Sequence, residues 1–316
     1  MDKNKFITRR GVIIGFTLIC CLLWGSAFPC IKLGYRMFSI DSGSTSSQIL
    51  FAGMRFLLAG IMAAAAGSIA EKRLLIPRRK DIPRFGLLSL FQTILQYTFF
   101  YIGLSHTTGM KSSIITASNV FLSIIVSVFV FRTEKMTFQK LIGCMTGFAG
   151  VLLINLTSGS DLSLSLRGEG MIFLSALSYA FSASITKKFS RTSDPVMLSS
   201  WQFIAGGAFM IAVGTVSGGN IGSAGAEGYM MMLYLGFISA AAFSLWSLLL
   251  KYNPVSSVSV FGFMNPVFGV ILSAVLLSEK APAGLLRTVA ALLLVAAGIV
   301  IVNGKAFLNK EAGSNG

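Results

Sequence analysis

The sequence predicts an all-α integral membrane protein, with ten transmembrane helices forming two inverted five-helix repeats around a central cavity. Three observations lead there. Apolar runs of about 20 residues recur from end to end, the length that takes a helix across the hydrocarbon core of a bilayer. Hydrophobic residues make up 54% of the chain and charged residues 12%, about half the charged share of a soluble domain. Short patterns in the first half of the chain also return, in the same order, in the second.

The spans are read at about residues 11–34, 47–70, 83–104, 108–131, 138–156, 168–189, 195–216, 228–250, 255–277 and 284–303. Lipid offers no partner for backbone polar groups, so runs of this length are helices; barrel strands are about half as long. The opening MDKNKFITRR and its apolar run have the outline of a signal peptide. The run is longer than a signal core and has no clear small-x-small cleavage site, so it reads as a retained first span.

The net charge is +15, from 26 Lys and Arg against 11 Asp and Glu. In a soluble chain that balance points to nucleic acid. Here no aromatic-plus-basic RNA motif interrupts the spans, and the basic residues instead sort by side. With the N-terminus inside, the cytoplasmic segments collect clusters such as Lys72, Arg73, Arg78, Arg79, Lys80 and Arg84. The outer side keeps Lys32, Arg36, Lys111, Arg167, Lys280 and Arg287. That bias places both termini in the cytoplasm, with the plasma membrane as the expected location.

The most polar loop, TSGSDLSLSLRGEG, separates spans five and six. It divides the chain into 1–156, an extracytoplasmic linker at 157–167, and 168–316. Arg132-Thr-Glu-Lys after span four is answered by Leu277-Ser-Glu-Lys after span nine. The Gly150–Asn155 end of span five is answered by Gly298–Asn303, and Met54-Arg-Phe by Trp201-Gln-Phe. Trp24 and Lys32 are spaced like Tyr179 and Lys187. Five is odd, so two such halves lie in opposite orientations, an arrangement that places a binding site at the repeat interface.

These residues carry a family resemblance. The run LLWGSAFPCIK, the Arg55-Phe56 pair and FMNPVFGVILSAVLLSEK (263–280) resemble the drug/metabolite transporter superfamily, specifically its EamA-type ten-helix carriers. The resemblance spans almost the whole chain, but its motifs are diffuse. It implies two inverted bundles around a central cavity, alternating access, and export of small metabolites, often amino acids. One departure is visible: Pro266 in span nine is matched by Phe121 in span four.

The residues themselves narrow the chemistry. No Gly-rich phosphate loop is present, so ATP-driven pumping within the chain is not expected. The single histidine, His106, lies at an outer loop, which excludes a histidine metal cluster or triad inside the membrane. No enzyme activity, cofactor or metal is expected. Cys20, Cys21, Cys30 and Cys144 lie in apolar runs without C-x-x-C spacing and read as buried hydrophobes. All 11 carboxylates fall in loops or at span ends. Glu134 and Glu279 are read as structural, pairing with Lys135, Lys280 or backbone donors at helix ends.

Cations and amides do enter the spans. Arg55 lies about 12 Å into span two, where it either binds a substrate carboxylate or ties helices together through carbonyls. Ser112, Thr116, Asn119 and Ser123 share one face of span four, suited to a wet cavity or to interhelical hydrogen bonds. Gln92, Gln96 and Tyr97 in span three, Trp24, Tyr179, Trp246 and Asn265 complete the candidate cavity. Aromatic faces with amides suit a small zwitterion with an apolar part, or simply packing. Lys32 and Lys111 are candidates for an outer vestibule, with snorkelling to headgroups the alternative. Gly25, Pro29 and Pro266 are candidate hinges, because proline removes a helical hydrogen bond and crowds the preceding turn.

The expected function is secondary transport, an exporter of small metabolites such as amino acids. An exchanger of phosphorylated or nucleotide-like solutes is the alternative, and a membrane scaffold or lipid-modifying protein is a reading of another class. The expected partners are a small-molecule solute and the bilayer, with no nucleic acid, and a monomer or homodimer.

Overall fold

The computed structural model describes residues 6–41, 43–104, 106–107, 109–155, 165–276 and 284–312. Among the described residues there is no strand, and the helical segments fall into ten long runs. These are α1 (Arg10–Met37), α2 (Thr45–Glu71), α3 (Ile82–Ser89, Leu90–Leu95, Gln96–Leu104) and α4 (Gly109–Ala117, Asn119–Ile125, Val126–Val130). They continue with α5 (Phe138–Asn155), α6 (Leu166–Gly170, Met171–Phe189), α7 (Pro195–Val216) and α8 (Ala226–Tyr252). The last two are α9 (Val255–Ser259, Val260–Phe263, Met264–Leu276) and α10 (Gly284–Ala312).

Among the described residues, 7 helices are by length and composition apolar enough to cross a membrane: α1, α2, α3, α7, α8, α9 and α10. The shorter apolar stretches Ile114–Val130 and Phe138–Leu153 lie in α4 and α5. In α6 the apolar pattern is diluted by Ser175, Ser178, Ser182, Ser184 and Thr186, all buried. That helix turns its polar groups inward. Elsewhere large side chains such as Ile61, Phe129, Phe209, Phe237, Leu293 and Val300 point outward, as expected when the surrounding solvent is lipid.

Several runs are less regular than the sequence suggests. In α3 a π segment spans Leu90–Leu95, and α4 ends in another at Val126–Val130. α4 also breaks at Ser118, whose hydroxyl donates to the Ile115 carbonyl at 2.6 Å. A serine that bonds its own backbone competes with the helical ladder. The start of α7 is conventional: Asp194 accepts from the Met197 N–H at 2.8 Å and Pro195 follows it.

Two of the closest pairings join helices five apart in the chain. α2 packs most extensively on α7, and α5 on α10. α1 packs on α8 and α9, while α6 packs on α3 and α4, so exchanging n with n+5 reproduces these pairings. Glycine sets the closest crossings. A Cβ on Gly207 would sit 2.4 Å from the Leu57 nitrogen in α2, and one on Gly298 2.5 Å from the Gly143 carbonyl oxygen in α5. Small residues at such crossings let backbones approach where lipid provides no hydrophobic drive.

The directions of α1 and α6 are fixed by α8. The end of α1 meets its beginning, where the Phe38 and Tyr229 rings lie 5.6 Å apart. The end of α6 meets its end, where the Lys187 ammonium donates to the Lys251 and Asn253 carbonyls at 3.1 and 2.7 Å. α1 and α6 therefore run in opposite directions.

Candidate functional site

A cavity of about 300 Å³ lies among α1, α2, α3, α4, α6, α8 and α9. Helical periodicity explains its walls. On α1 the lining residues Trp24, Phe28, Ile31 and Tyr35 recur every three or four positions, which is one helical face. α3 contributes Gln96, Tyr97, Phe100, Tyr101 and Leu104. The lining of α1 and α3 lies toward their ends, and that of α4 and α6 toward their beginnings. The cavity thus runs from the middle of the bundle to the end where α1 and α3 finish. Exposed Lys32 stands at that mouth.

Arg55 lies deeper. It lines the cavity yet is only 4% exposed, and its guanidinium carbon sits 4.4 Å from the Phe56 ring centre and 5.8 Å from that of Tyr97. No carboxylate occurs among the lining residues. The polar groups converging here leave atoms without protein partners: Trp24 Nε1, Tyr35 Oη, Arg55 Nε, Gln96 Oε1, Ser112 Oγ and Asn265 Oδ1. Buried polar atoms are normally satisfied, and unsatisfied ones gathered on a single cavity mark a place for a polar guest or water.

Of the residues singled out from the sequence, Trp24, Arg55, Gln96, Tyr97, Ser112, Thr116, Asn119, Tyr179 and Asn265 all line this cavity, as do Lys32 and Pro266. Others do not. Gln92 is buried within the π segment of α3, beside Thr93, whose hydroxyl donates to Gln202 of α7 at 2.6 Å. Trp246 is 2% exposed and buttresses Trp24 from behind, with ring centres 4.9 Å apart. Ser123 is buried below the cavity. Lys111 falls within α4, but its side chain lies outside the described residues, as do Glu279 and Lys280 altogether.

α1 runs as one helix through buried Pro29. Gly25 is a contact point, since a Cβ there would come within 2.6 Å of Phe268 Cβ on α9. The sequence reading missed Tyr35, Phe100, Tyr101, Ser239 and Phe243. Extending the helical spacing from Trp24 and Tyr97 finds Tyr35 and Tyr101. Nothing in the sequence marks Ser239.

The opposite end of the bundle is closed by polar ties. Glu134, in the link between α4 and α5, accepts from the Lys140 ammonium at 2.8 Å, from the Ser256 N–H at 3.1 Å and from the Ser256 hydroxyl. Burial alone would raise its carboxyl; hydrogen bonds from Lys140 and Ser256 outweigh that and hold it below the usual carboxylate range. Lys187 binds the carbonyls at the end of α8, and Asn253 donates to Leu249 at 3.0 Å. The lower part of the α4 stripe joins this end, with Ser127 donating to Glu134 at 3.2 Å.

The chain resembles known proteins along nearly its whole length. The model of the EamA-like transporter family matches twice, at residues 11–156 and 166–304. An uncharacterized transporter of Archaeoglobus fulgidus is 26% identical over 300 residues, covering 93% of this chain and 98% of its own. The uncharacterized transporter YvbV of Bacillus subtilis is 27% identical over 314 residues, covering 96% and 95%. A solved crystal structure that is 16% identical aligns with a TM-score of 0.75 over 93% of this chain and 96% of that one, a likeness of fold alone. With an all-helical fold, multiple apolar spans and a double match across its length, this chain is a multi-pass membrane transporter of the EamA-like transporter family.

Proposed function

We propose that the chain is a secondary active exporter of small metabolites such as amino acids, working by alternating access across the plasma membrane. In this reading all ten helices span the bilayer, residues 1–156 and 168–316 are inverted repeats, 157–167 is an extracytoplasmic linker, and both termini are cytoplasmic. The double family match, the n to n+5 exchange of helix pairings and the opposed directions of α1 and α6 support it. So does the cavity, open at one end and tied shut at the other.

One observation carries the solute class: Arg55, buried in a cavity wall that holds no carboxylate. It receives the solute's carboxylate. Gln96 Oε1 and Asn265 Oδ1 offer neutral acceptors for an ammonium, and Trp24, Tyr97, Tyr179 and Phe243 offer ring surface for an apolar side chain. A solute bearing several phosphates needs several converging cations. The chain catalyses no reaction in this reading.

The test is a metabolite export profile of cells with and without the protein, repeated with Arg55→Gln, which copies Gln202 of the other half. The expected outcome is accumulation of amino-acid-like solutes outside the cell, reduced at least tenfold by the substitution, since a charged hydrogen bond contributes about 1.5–3 kcal/mol. Unchanged selectivity and rate would remove Arg55 from the site.

A further inference from the structure

Arg55 poses an electrostatic problem that the chain does not solve alone. It brings a cationic guanidinium into the span. It is 4% exposed, its Nε has no partner, and no carboxylate pairs with it among the described residues. Phe56 presents a ring face to it and Tyr97 its ring and hydroxyl, but these neutral contacts offset only part of the cost of withdrawing a cation from water. A permanent protein carboxylate would neutralise the charge and would also compete with a solute carboxylate. A mobile anion neutralises it and then leaves.

We propose that Arg55 is the binding site of a small, singly charged inorganic anion of the chloride kind, which occupies the carboxylate position between solutes and is displaced by the solute. The surroundings favour one charge over two. Beyond Arg55, the unpartnered groups able to donate in this cavity include Trp24 Nε1 and the Tyr35 and Ser112 hydroxyls, and much of the remaining wall is aromatic or aliphatic, including Phe28, Phe100 and Phe243. A sulfate or phosphate brings several strong acceptor oxygens that need several charged donors. A halide is content with one guanidinium and an apolar wall. The anion site itself rests on where Arg55 lies; only its displacement by the solute rests on the proposed export function.

The experiment uses the purified full chain in detergent, without added solute, melted in sodium chloride and in sodium gluconate of equal ionic strength. Chloride raises Tm saturably by about 2–4 °C over gluconate, because a ligand that binds only the folded chain stabilises it. Bromide reproduces the rise, Arg55→Gln abolishes it and Arg55→Lys keeps part of it. Equal melting of the wild type in the two salts would overturn the proposal, as would a chloride shift that persists in Arg55→Gln. A shift of the same size in sulfate would overturn its singly charged character. Should Arg55→Gln not fold, crystals of the wild type grown in bromide decide: an anomalous peak at Arg55 supports the site, and its absence there overturns it. Transport without a chloride shift defeats the anion site and spares the exporter; a chloride shift without transport of any solute does the reverse.

Discussion

Lys32 and Lys187 stand eight residues after Trp24 and Tyr179, in first helices of the two halves, yet their surroundings differ completely. Lys32 is exposed at the mouth of the cavity. Lys187 is half-buried at the other end, its ammonium bound to the last carbonyls of α8 at 2.7 and 3.1 Å. Trp24 and Tyr179 meanwhile line one cavity together. The aromatic residues share the centre while the lysines mark two ends in opposite conditions. Features spaced alike in the two halves thus lie at one exposed end and one tied end, and the proposed alternating access calls for a conformation with those conditions exchanged.

That contrast can be broken at several points. The largest effect is expected at Glu134, which joins the α4–α5 link to the start of α9. Glu134→Ala leaves the Ser256 N–H unmatched and Lys140 without its counter-charge, and costs on the order of 3 kcal/mol, read as a lower Tm. The pH dependence follows from the lowered carboxyl. The stabilisation is complete above the ordinary glutamate value of 4.5 and fades as pH falls through the lower folded value. In Glu134→Gln that acid limb of the Tm profile is lost.

Gly207→Ala comes next. The added Cβ meets the α2 backbone and destabilises by about 1–3 kcal/mol, measured by denaturation in detergent. Lys187→Met releases the α8 carbonyls and costs about 1.5–3 kcal/mol. It also raises the reactivity of a cysteine placed at Ser256. Lys32→Met sharpens the comparison by its contrast: stability changes by less than about 0.5 kcal/mol, while affinity for anionic solutes falls in a salt-dependent way, as measured by transport at low and high ionic strength.

Much of this was legible in the sequence because lipid makes strict demands. Apolar length gives the helices, and glycines such as Gly53, Gly60 and Gly207 in apolar runs become crossings. Arg55 was legible as a cost that needs a reason. What escaped depends on departures from ideal helix geometry. Gln92 is buried inside the π segment of α3 and does not line the cavity, and no residue type in LFQTIL announces that segment. The close packing of Gly25 on Phe268 likewise has no sign in the sequence, being a contact with a residue over 200 positions away. Glu134 was read as pairing near a helix end, but Ser256 as its partner depends on how α4 meets α9.

The central claim is that the two ends of one cavity open in turn, and cysteine accessibility tests it most directly. In a background lacking the four native cysteines, Ala27→Cys places a thiol in the cavity wall and Ser256→Cys places one at the closed end. The account predicts that an impermeant thiol reagent outside the cell labels Cys at position 27 and that position 256 resists reagent from inside. Saturating solute then lowers the first rate and raises the second. Both positions reactive at once, or both rates indifferent to solute, would contradict it.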